Sequence, residues 1–372
     1  MSAVSDRLPT FPWDKLEPYK KTAAAHPDGI VDLSVGTPVD PVPELIQKAL
    51  IDAADSPGYP TVWGTPALRD AITGWVERRL GARGVTHRHV LPIVGSKELV
   101  AWLPTQLGLG PGDRVAYPRL AYPTYEVGAR LARAGYEVYD TETFAAGAAG
   151  ADLDPRGLKL LWLNSPSNPT GRVLSKQELT RIVAWAREHG VLVFSDECYL
   201  ELGWEAEPVS VLHPDVNGGS YDGLVAVHSL SKRSNLAGYR AAFLAGDPAV
   251  LAPLLEIRKH GGMMTSAPTQ AAVVAALGDD EHVRVQRERY AARRAALRTA
   301  LEGHGFRIEH SEASLYLWAT RDESCWSTVA HLAERGVLVA PGDFYGEAGA
   351  RHVRVAFTAT DERVRAAVER LA

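Results

Sequence analysis

Three short segments carry side chains of the types used in nucleophilic and acid–base catalysis. Lys232 ends the sequence Ser-Leu-Ser-Lys directly after an apolar run, and Arg240 follows eight residues later. Asp196 ends a second apolar run, and a third is followed by the segment Asn164–Gly171, which contains two Asn/Ser-Pro steps. A lysine with a lowered pKa can attack a carbonyl group and transfer a proton. Open α/β sheets bind their ligands at the carboxyl ends of the strands, where these segments are expected.

Each of these segments also has an ordinary explanation when it is taken alone. The aspartate could cap the next helix, the Asn-Pro step could form a simple turn, and the lysine could be solvated. All three follow apolar runs in the same part of the chain, so the strand ends would bring them to one edge of one sheet. This arrangement favours a common site over three independent turns.

Short apolar runs alternate with amphipathic stretches in the middle of the chain, which is typical of a parallel sheet covered by helices. Continuous apolar runs predict strands buried on both faces. We predict strands at His89–Val94, Arg114–Tyr117, Lys159–Asn164, Val191–Asp196, Leu224–Ser229 and Ala241–Ala245. We predict helices at Ser96–Leu107, Pro123–Ala134, Ser175–His189 and around Leu200. Ser175 and Glu178 have the spacing of a capping box, which predicts the start of the third helix.

The sequence predicts an α/β protein: a large domain with a mainly parallel sheet flanked by helices, and a smaller α+β domain. We place an N-terminal arm and part of the small domain at residues 1–40, the large domain at 41–275 and the small C-terminal domain at 276–372. The small domain is predicted to contain helices at Asp279–Glu302, Trp326–Arg335 and from Asp361, and strands at Phe306–Glu309, Ser314–Ala319 and Val353–Phe357. The Ala/Gly stretch Ala145–Ala151 is predicted to be a surface loop.

Composition excludes several classes of function. The 372 residues are 46% hydrophobic, and 40 Lys+Arg against 45 Asp+Glu give a net charge of −5. No basic block supports nucleic-acid binding, and the apolar runs are too short to span a membrane. The two cysteines have no Cys-x-x-Cys spacing, and no His/Cys/acid cluster predicts a metal site. No signal peptide is visible, so we expect a cytoplasmic protein.

Taken together, the motifs resemble those of one family. The pattern Ser-x-Ser-Lys, seven residues and Arg occurs with Asn-Pro-x-Gly and Asp-x-x-Tyr between about Val31 and the C-terminus. The chain thereby resembles the fold-type I pyridoxal-phosphate enzymes of the class I/II aminotransferase family. The resemblance implies the aspartate aminotransferase-like fold and pyridoxal 5′-phosphate as cofactor.

The resemblance also implies the roles of the residues around the cofactor ring. Lys232 would hold the cofactor aldehyde covalently and later transfer the α-proton, and Asp196 would keep the pyridine nitrogen protonated. Asn168 and Tyr199 would stabilise the phenolic oxygen as an anion. Tyr122 would stack on the pyridine ring.

The cofactor phosphate requires backbone amides at a helix N-terminus and a cation. By resemblance, its ligands are Gly95, Ser96, Lys97, Ser229, Ser231 and Arg240. Tyr59 matches a tyrosine that reaches the phosphate from the neighbouring subunit, which implies a homodimer with shared active sites; a turn aromatic packed on the surface is the alternative.

The resemblance further implies a substrate-binding set. Arg354, in an alternating strand, would bind the substrate α-carboxylate through its two-pronged guanidinium, although a solvent-facing arginine at a strand edge is the alternative. Gly36 would let the backbone approach the substrate, and Asn168 would also contact it. We place Trp63 near the substrate as well. The expected substrates are small amino and keto acids such as glutamate and 2-oxoglutarate.

Within the family, the stretch from Val94 to Tyr117, with Lys97 after Gly-Ser, resembles the bacterial N-succinyl-diaminopimelate aminotransferases of lysine and cell-wall precursor synthesis. The alternative is an aspartate or broad-specificity aminotransferase. A pyridoxal-phosphate lyase on the same fold would share these motifs. A transcription regulator with an aminotransferase-like domain is not expected, since about 30 residues before the fold leave no room for a DNA-binding domain.

A succinyl-diaminopimelate substrate carries carboxylates beyond the one expected at Arg354, and a buried carboxylate without a partner is strongly disfavoured. Lys97, Arg258 and Lys259 are the candidate cations for the distal carboxylates. The alternative is that all three are ordinary surface cations.

Overall fold

The computed structural model describes residues 4–146 and 153–372. Of the loop predicted at Ala145–Ala151, residues 147–151 lie outside the described part of the chain. Among the helices that the structure describes, none is long and apolar enough to cross a membrane.

Thirteen strands are formed by the described residues. In chain order they are β1 Val31–Asp32, β2 Val90–Ile93, β3 Arg114–Pro118, β4 Gly135–Tyr139, β5 Leu158–Asn164, β6 Leu192–Asp196, β7 Leu224–Ser229, β8 Ala242–Gly246, β9 Arg307–Glu309, β10 Tyr316–Thr320, β11 Val337–Leu338, β12 Ala340–Pro341 and β13 His352–Ala356.

Fourteen α-helices are formed by the described residues. They are α1 Glu17–Ala24, α2 Glu44–Asp52, α3 Pro66–Leu80, α4 Ser96–Gln106, α5 Thr124–Ala132, α6 Thr141–Ala145, α7 Lys176–Glu188, α8 Pro214–Asn217, α9 Leu230–Arg233, α10 Pro248–His260, α11 Ala267–Gly278, α12 Glu281–Gly303, α13 Cys325–Ala333 and α14 Asp361–Leu371.

A seven-stranded sheet in the order β2-β8-β7-β6-β5-β3-β4 forms the centre of the molecule. The strands β7, β6, β5, β3 and β4 are parallel, whereas β8 is antiparallel to both of its neighbours. Alternate residues of β5 enter different cores: Leu161 and Leu163 pack on one face, and Leu160 and Trp162 pack on the other. Helices therefore cover the sheet on both faces, as continuous apolar strands predict.

A second core surrounds the four-stranded antiparallel sheet β12-β13-β10-β9. The N-terminal segment contributes Leu16, Ala23, Val31 and Leu33 to this core. The parallel pairing of β1 with β11 fixes the same segment to the C-terminal part of the chain. The predicted division at residues 40 and 275 stays a prediction.

The structure confirms the six predicted strands of the central sheet within two residues at each end, and the capping box at Ser175 is formed. The helix predicted around Leu200 was wrong: the backbone there makes short turns, with Leu200 N–H donating to the Glu197 carbonyl at 3.0 Å. The strand β4 was not predicted, because its largely exposed edge position leaves no continuous apolar run.

Candidate active site

A cleft opens at the carboxyl ends of β5, β6 and β7, between the central sheet and the smaller one. Most of the predicted site residues line it: Gly36, Ser96, Lys97, Tyr122, Asn168, Asp196, Tyr199, Ser229, Ser231, Lys232, Arg240 and Arg354. Each of β5, β6 and β7 ends in a polar residue, and their parallel alignment brings these ends to one edge. The three segments singled out by sequence therefore meet in one place.

Lys232 lies on the short helix α9, directly after β7, and extends into the cleft. Its Nζ donates a hydrogen bond to the Gly36 carbonyl. Burial lowers the pKa of Lys232, and the positive charges of Arg354 and Arg240 lower it further against an opposing effect of Tyr316. A lysine with a lowered pKa has a larger neutral, nucleophilic fraction at neutral pH.

Gly36 is held directly against Tyr316. A Cβ at position 36 would lie 2.6 Å from the Tyr316 Cε1 atom, so any larger residue would displace that ring. In this structure the close neighbour of the Gly36 backbone is Tyr316, and the predicted approach of that backbone to the substrate stays a prediction.

Asp196 is a buried carboxylate at the floor of the cleft. Its Oδ2 accepts a hydrogen bond from the Tyr125 hydroxyl at 2.9 Å, and its Oδ1 accepts one from the Cys198 backbone N–H at 3.3 Å. Burial raises the pKa of Asp196. No lysine, arginine or histidine in the described part of the chain forms an ion pair with it. A cationic group placed in the cleft would therefore stabilise its charged form.

The turn between β2 and α4 closes the opposite end of the cleft. Gly95 has φ +84°, and a Cβ there would lie 2.6 Å from the Arg240 guanidinium carbon. Gly95 thus lies behind the cleft-lining residues and leaves space for Arg240. The N-terminus of α4, at Ser96, presents backbone N–H groups beside this cation. Such a combination binds anions.

Arg354 lies at the side of the cleft with only 3% of its surface exposed. Its Nη1 donates to Asn168 Oδ1 and its Nη2 to the Ser34 carbonyl, each at 2.8 Å. The guanidinium carbon lies 3.9 Å from the centre of the Tyr316 ring and 4.8 Å from that of Tyr345. Among the residues that the structure describes, Arg354 forms hydrogen bonds only with neutral groups. The buried guanidinium can therefore still bind a carboxylate.

The hydroxyls of Tyr199 and Tyr316 are 2.8 Å apart. Burial raises the pKa of Tyr199 well above its usual value. Burial alone would also raise the pKa of Tyr316, but Arg354 and Lys232 outweigh it and hold that pKa below its usual value.

Besides Gly95, two further predicted residues do not line the cleft of their own chain. Tyr59 is 98% exposed. The Trp63 ring packs against Arg69, whose guanidinium carbon lies 4.1 Å from the centre of the ring. Whether either residue contacts a cofactor or substrate stays a prediction.

The candidate distal cations have three different environments. Lys97 lines the cleft, with its ammonium 5.6 Å from the centre of the Phe11 ring. Arg258 is not a surface cation: its side chain is buried and paired with Glu98 at 2.7 Å. Lys259 is exposed and paired with Glu256 at 2.6 Å.

Sequence analysis missed four residues that the fold brings to the site: Phe11, Trp13, Tyr125 and Tyr316. Phe11 and Trp13 come from the N-terminal arm and line the mouth of the cleft. The centres of these two rings are 5.7 Å apart, and the centre of the Trp13 ring lies 5.3 Å from that of Phe344. No motif marks these residues, and the hydrogen-bond partners of the two tyrosines, Asp196 for Tyr125 and Tyr199 for Tyr316, are distant in sequence.

Comparison with known proteins identifies the family. The model of aminotransferase classes I and II matches residues 28–371. The 4-dedimethylamino-4-oxo-anhydrotetracycline transaminase OxyQ of Streptomyces rimosus is 60% identical, over 98% of this chain and 99% of that protein. A probable aminotransferase of Mycobacterium tuberculosis is 61% identical, over 99% of this chain and 86% of that protein.

More distant relatives include the LL-diaminopimelate aminotransferase of Gloeobacter violaceus, which is 33% identical over 100% of this chain and 97% of that protein. Among solved structures, an aminotransferase of Neisseria meningitidis has a TM-score of 0.90 at 28% identity, covering 100% of this chain and 98% of the other. A probable N-succinyldiaminopimelate aminotransferase of Thermus thermophilus has a TM-score of 0.84 at 29% identity, covering 97% of this chain and 99% of the other. The chain belongs to the class I and II aminotransferases and is a pyridoxal-phosphate-dependent transaminase.

Proposed function

We propose that this transaminase acts on N-succinyl-LL-2,6-diaminopimelate and 2-oxoglutarate. The observation that carries the proposal is that Lys97 is a further cation in the cleft that contains Arg354. Arg354 offers a buried site for an α-carboxylate, and Lys97 lies in the same cleft without an ion pair to any acidic side chain that the structure describes. A long substrate with carboxylates at both ends matches such a pair.

We propose that Asp196 and Arg240 mark the two ends of the cofactor site. Asp196 is a buried carboxylate without a cationic partner among the described residues, which suits the protonated nitrogen of a pyridine ring. Arg240, the α4 N-terminus and the hydroxyls of Ser229 and Ser231 suit a phosphate group at the other end. The donor set therefore fits pyridoxal phosphate, which supplies an electron sink for the α-carbon of the amino acid.

The chain's own residues would then hold and move protons. We propose that Lys232, whose pKa is lowered, anchors the cofactor and takes the proton from the substrate α-carbon. Asn168 and the phenol of Tyr199 would hold the phenolic oxygen of the cofactor. Tyr122, which lines the cleft, would cover one face of the ring.

Arg354 would orient the amino acid. Its two terminal nitrogens form a planar fork that matches a carboxylate, and its position is fixed by Asn168 and Ser34. A substrate held at its carboxylate presents its α-carbon to Lys232 in one orientation. This positioning lowers the entropic cost of the proton transfer.

A second candidate substrate is a bulky cyclic ketone as amino acceptor. The specific observation in its favour is the pair of aromatic rings, Phe11 and Trp13, at the mouth of the cleft. OxyQ, whose name describes a tetracycline-type substrate, is 60% identical to this chain. The aspartate or broad-specificity alternative requires only Arg354 and no distal group, and a lyase would regenerate the original cofactor form instead of transferring the amino group.

A panel of acceptors tests the proposal. With glutamate as donor, we expect the largest kcat/KM for the keto acid derived from N-succinyl-diaminopimelate, compared with oxaloacetate, pyruvate and an anhydrotetracycline-type ketone. A higher value for the cyclic ketone would establish the second candidate, and a higher value for oxaloacetate would establish the aspartate alternative.

The Lys97→Ala variant tests the distal contact. Loss of a cation that binds a charged group costs about 1.5–3 kcal/mol, or roughly ten- to a hundredfold in kcat/KM. We expect this loss for the succinylated substrate and not for a short monocarboxylic amino acid. Lys259→Ala is the matched control, because Lys259 is an exposed cation already paired with Glu256. Equal losses on both substrates would show that Lys97 does not bind a distal carboxylate.

A further inference from the structure

Arg233 directly follows Lys232, yet its side chain enters the protein interior. Only 5% of the residue is exposed. Its Nη1 donates to the Ser234 hydroxyl at 3.0 Å and to the Ala276 carbonyl at 2.9 Å, and its Nε is paired with Glu201. The guanidinium carbon also lies 5.7 Å from the centre of the Trp75 ring. These contacts fix Arg233, and with it the backbone that carries Lys232.

Glu201 belongs to the turns that carry the other reactive groups. Two residues before it, Tyr199 accepts a backbone hydrogen bond from Leu202 at 2.9 Å, and the segment continues back to Asp196. The Glu201 side chain is 5% exposed, and its second oxygen is paired with Arg79 at 3.2 Å. Arg79 lies on α3 and is 41% exposed, so it reaches the carboxylate from the solvent side.

We propose that the buried pair Arg233–Glu201 positions Lys232 relative to Tyr199 and Asp196. It joins, behind the cleft, the segment after β7 that carries the lysine to the segment after β6 that carries the tyrosine and the aspartate. Neither Arg233 nor Glu201 lines the cleft, so both would act only through their neighbours in sequence. The inference rests on the role proposed above for Lys232.

A positioning role can be separated from a purely structural one. Breaking a buried ion pair by removing one partner leaves an unpaired charge and destabilises the fold, whereas removing both charges often restores stability. A misplacement of about 1 Å of a reacting group can cost roughly a hundredfold in rate. Stability and rate should therefore respond differently to the single and double variants.

We suggest measuring kcat, KM for glutamate, the thermal midpoint and the visible absorbance spectrum of the holoenzyme at one pH. Arg233→Met should lower both kcat and the thermal midpoint. The double variant Arg233→Met/Glu201→Gln should recover most of the thermal midpoint but keep a kcat roughly ten- to a hundredfold below wild type. KM should change less than about threefold, since Arg354 is untouched. The absorbance spectrum of the cofactor bound at Lys232 should also differ from wild type.

Arg79→Met is the matched control, because Arg79 is paired with the same carboxylate but does not adjoin the lysine. It should leave kcat and the spectrum unchanged. A double variant with wild-type kcat and spectrum would overturn the proposal, and so would an Arg79→Met variant as slow as Arg233→Met. If the double variant does not fold, the single variant Glu201→Gln tests the proposal with the same measurements, and a wild-type kcat and spectrum would overturn it. Full turnover by Lys232→Ala would instead disprove the role of Lys232, so the two failures are distinguishable.

Discussion

At the scale of single residues, the site depends on charges placed where water is largely excluded. Lys232, Asp196 and Arg354 approach one cleft from three different segments, and the hydrogen bonds that hold each of them are made with neutral groups. Electrostatic interactions in such a setting are stronger than in water and require little reorganisation during the reaction. Changes that keep the shape of a side chain but alter its charge should therefore have large effects on rate.

Lys232→Ala should give a folded protein without the visible absorbance of covalently held cofactor and essentially without turnover. The reason is that no other lysine that the structure describes lies in the cleft except Lys97, at the α4 N-terminus. Absorbance spectra and single-turnover assays measure both effects. Near-wild-type activity would refute the assignment of Lys232.

Asp196→Asn should preserve the shape of the side chain while removing its negative charge. We expect kcat to decrease by orders of magnitude, because preorganised electrostatic stabilisation is usually the largest catalytic contribution. Steady-state kinetics with glutamate measures the effect. A decrease of less than about threefold, well under 1 kcal/mol, would mean that another group keeps the pyridine nitrogen protonated.

Glu197 gives a prediction for the pH dependence of stability. Burial raises the pKa of Glu197 to about 7, from an ordinary value of 4.5. The folded state then keeps a proton that the unfolded chain releases, so the stability linked to this group is fully present below about pH 4.5 and is lost as the pH rises to about 7. Glu197→Gln cannot ionise. As the pH rises from about 5 to 7, the thermal midpoint of the Glu197→Gln variant should therefore decrease less than that of wild type. Parallel curves of thermal midpoint against pH for the two proteins would contradict this account.

At the scale of elements, the strand ends and the helix starts create the site. The turn between β2 and α4 needs a glycine, since its φ of +84° is unfavourable for other residues and Arg240 occupies the space of a side chain. The parallel ends of β5, β6 and β7 bring Asn164, Asp196 and Ser229 to one edge. Local backbone geometry and side-chain chemistry are thus linked at each element.

Gly95→Ala should weaken the binding of pyridoxal phosphate. Backbone strain of about 1–3 kcal/mol together with displacement of Arg240 should raise the Kd of the cofactor by roughly tenfold. Spectroscopic titration of the apoenzyme measures this. Gly74→Ala is the control, because Gly74 lies inside α3 and a Cβ there would meet no neighbouring atom within 4 Å, so the Kd should stay unchanged. Equal affinity in wild type and Gly95→Ala would show that this turn does not hold the phosphate.

In the whole molecule, Tyr59 lies outside the cleft of its own chain. The ring is 98% exposed, which is unusual for a large aromatic side chain. We propose a homodimer in which Tyr59 contacts the partner's cofactor phosphate. In a twofold dimer, each active site would then depend on both chains.

Mixing two inactive variants tests this arrangement. Dimers formed from a Lys232→Ala chain and a Tyr59→Ala chain should regain one intact site of two, since the intact lysine and the intact tyrosine then meet in the same site. The control is the mixture of Lys232→Ala with Arg354→Ala, which should stay inactive because both residues act within their own chain. A fully active monomer in solution would refute the shared sites.

The sequence alone determined the family, six of the seven strands of the central sheet and most of the residues that line the cleft. These features depend on local patterns: continuous apolar runs, a glycine before a helix, and polar residues directly after strands. The structure decided what such patterns cannot encode. Tyr125 meets Asp196 across 71 residues of sequence, and Tyr199 meets Tyr316 across 117. Arg258 and Arg233 resemble surface cations in the sequence, but each is buried against a distant glutamate. Partners of this kind are chosen by the packing of elements that are far apart along the chain, so only the tertiary structure identifies them.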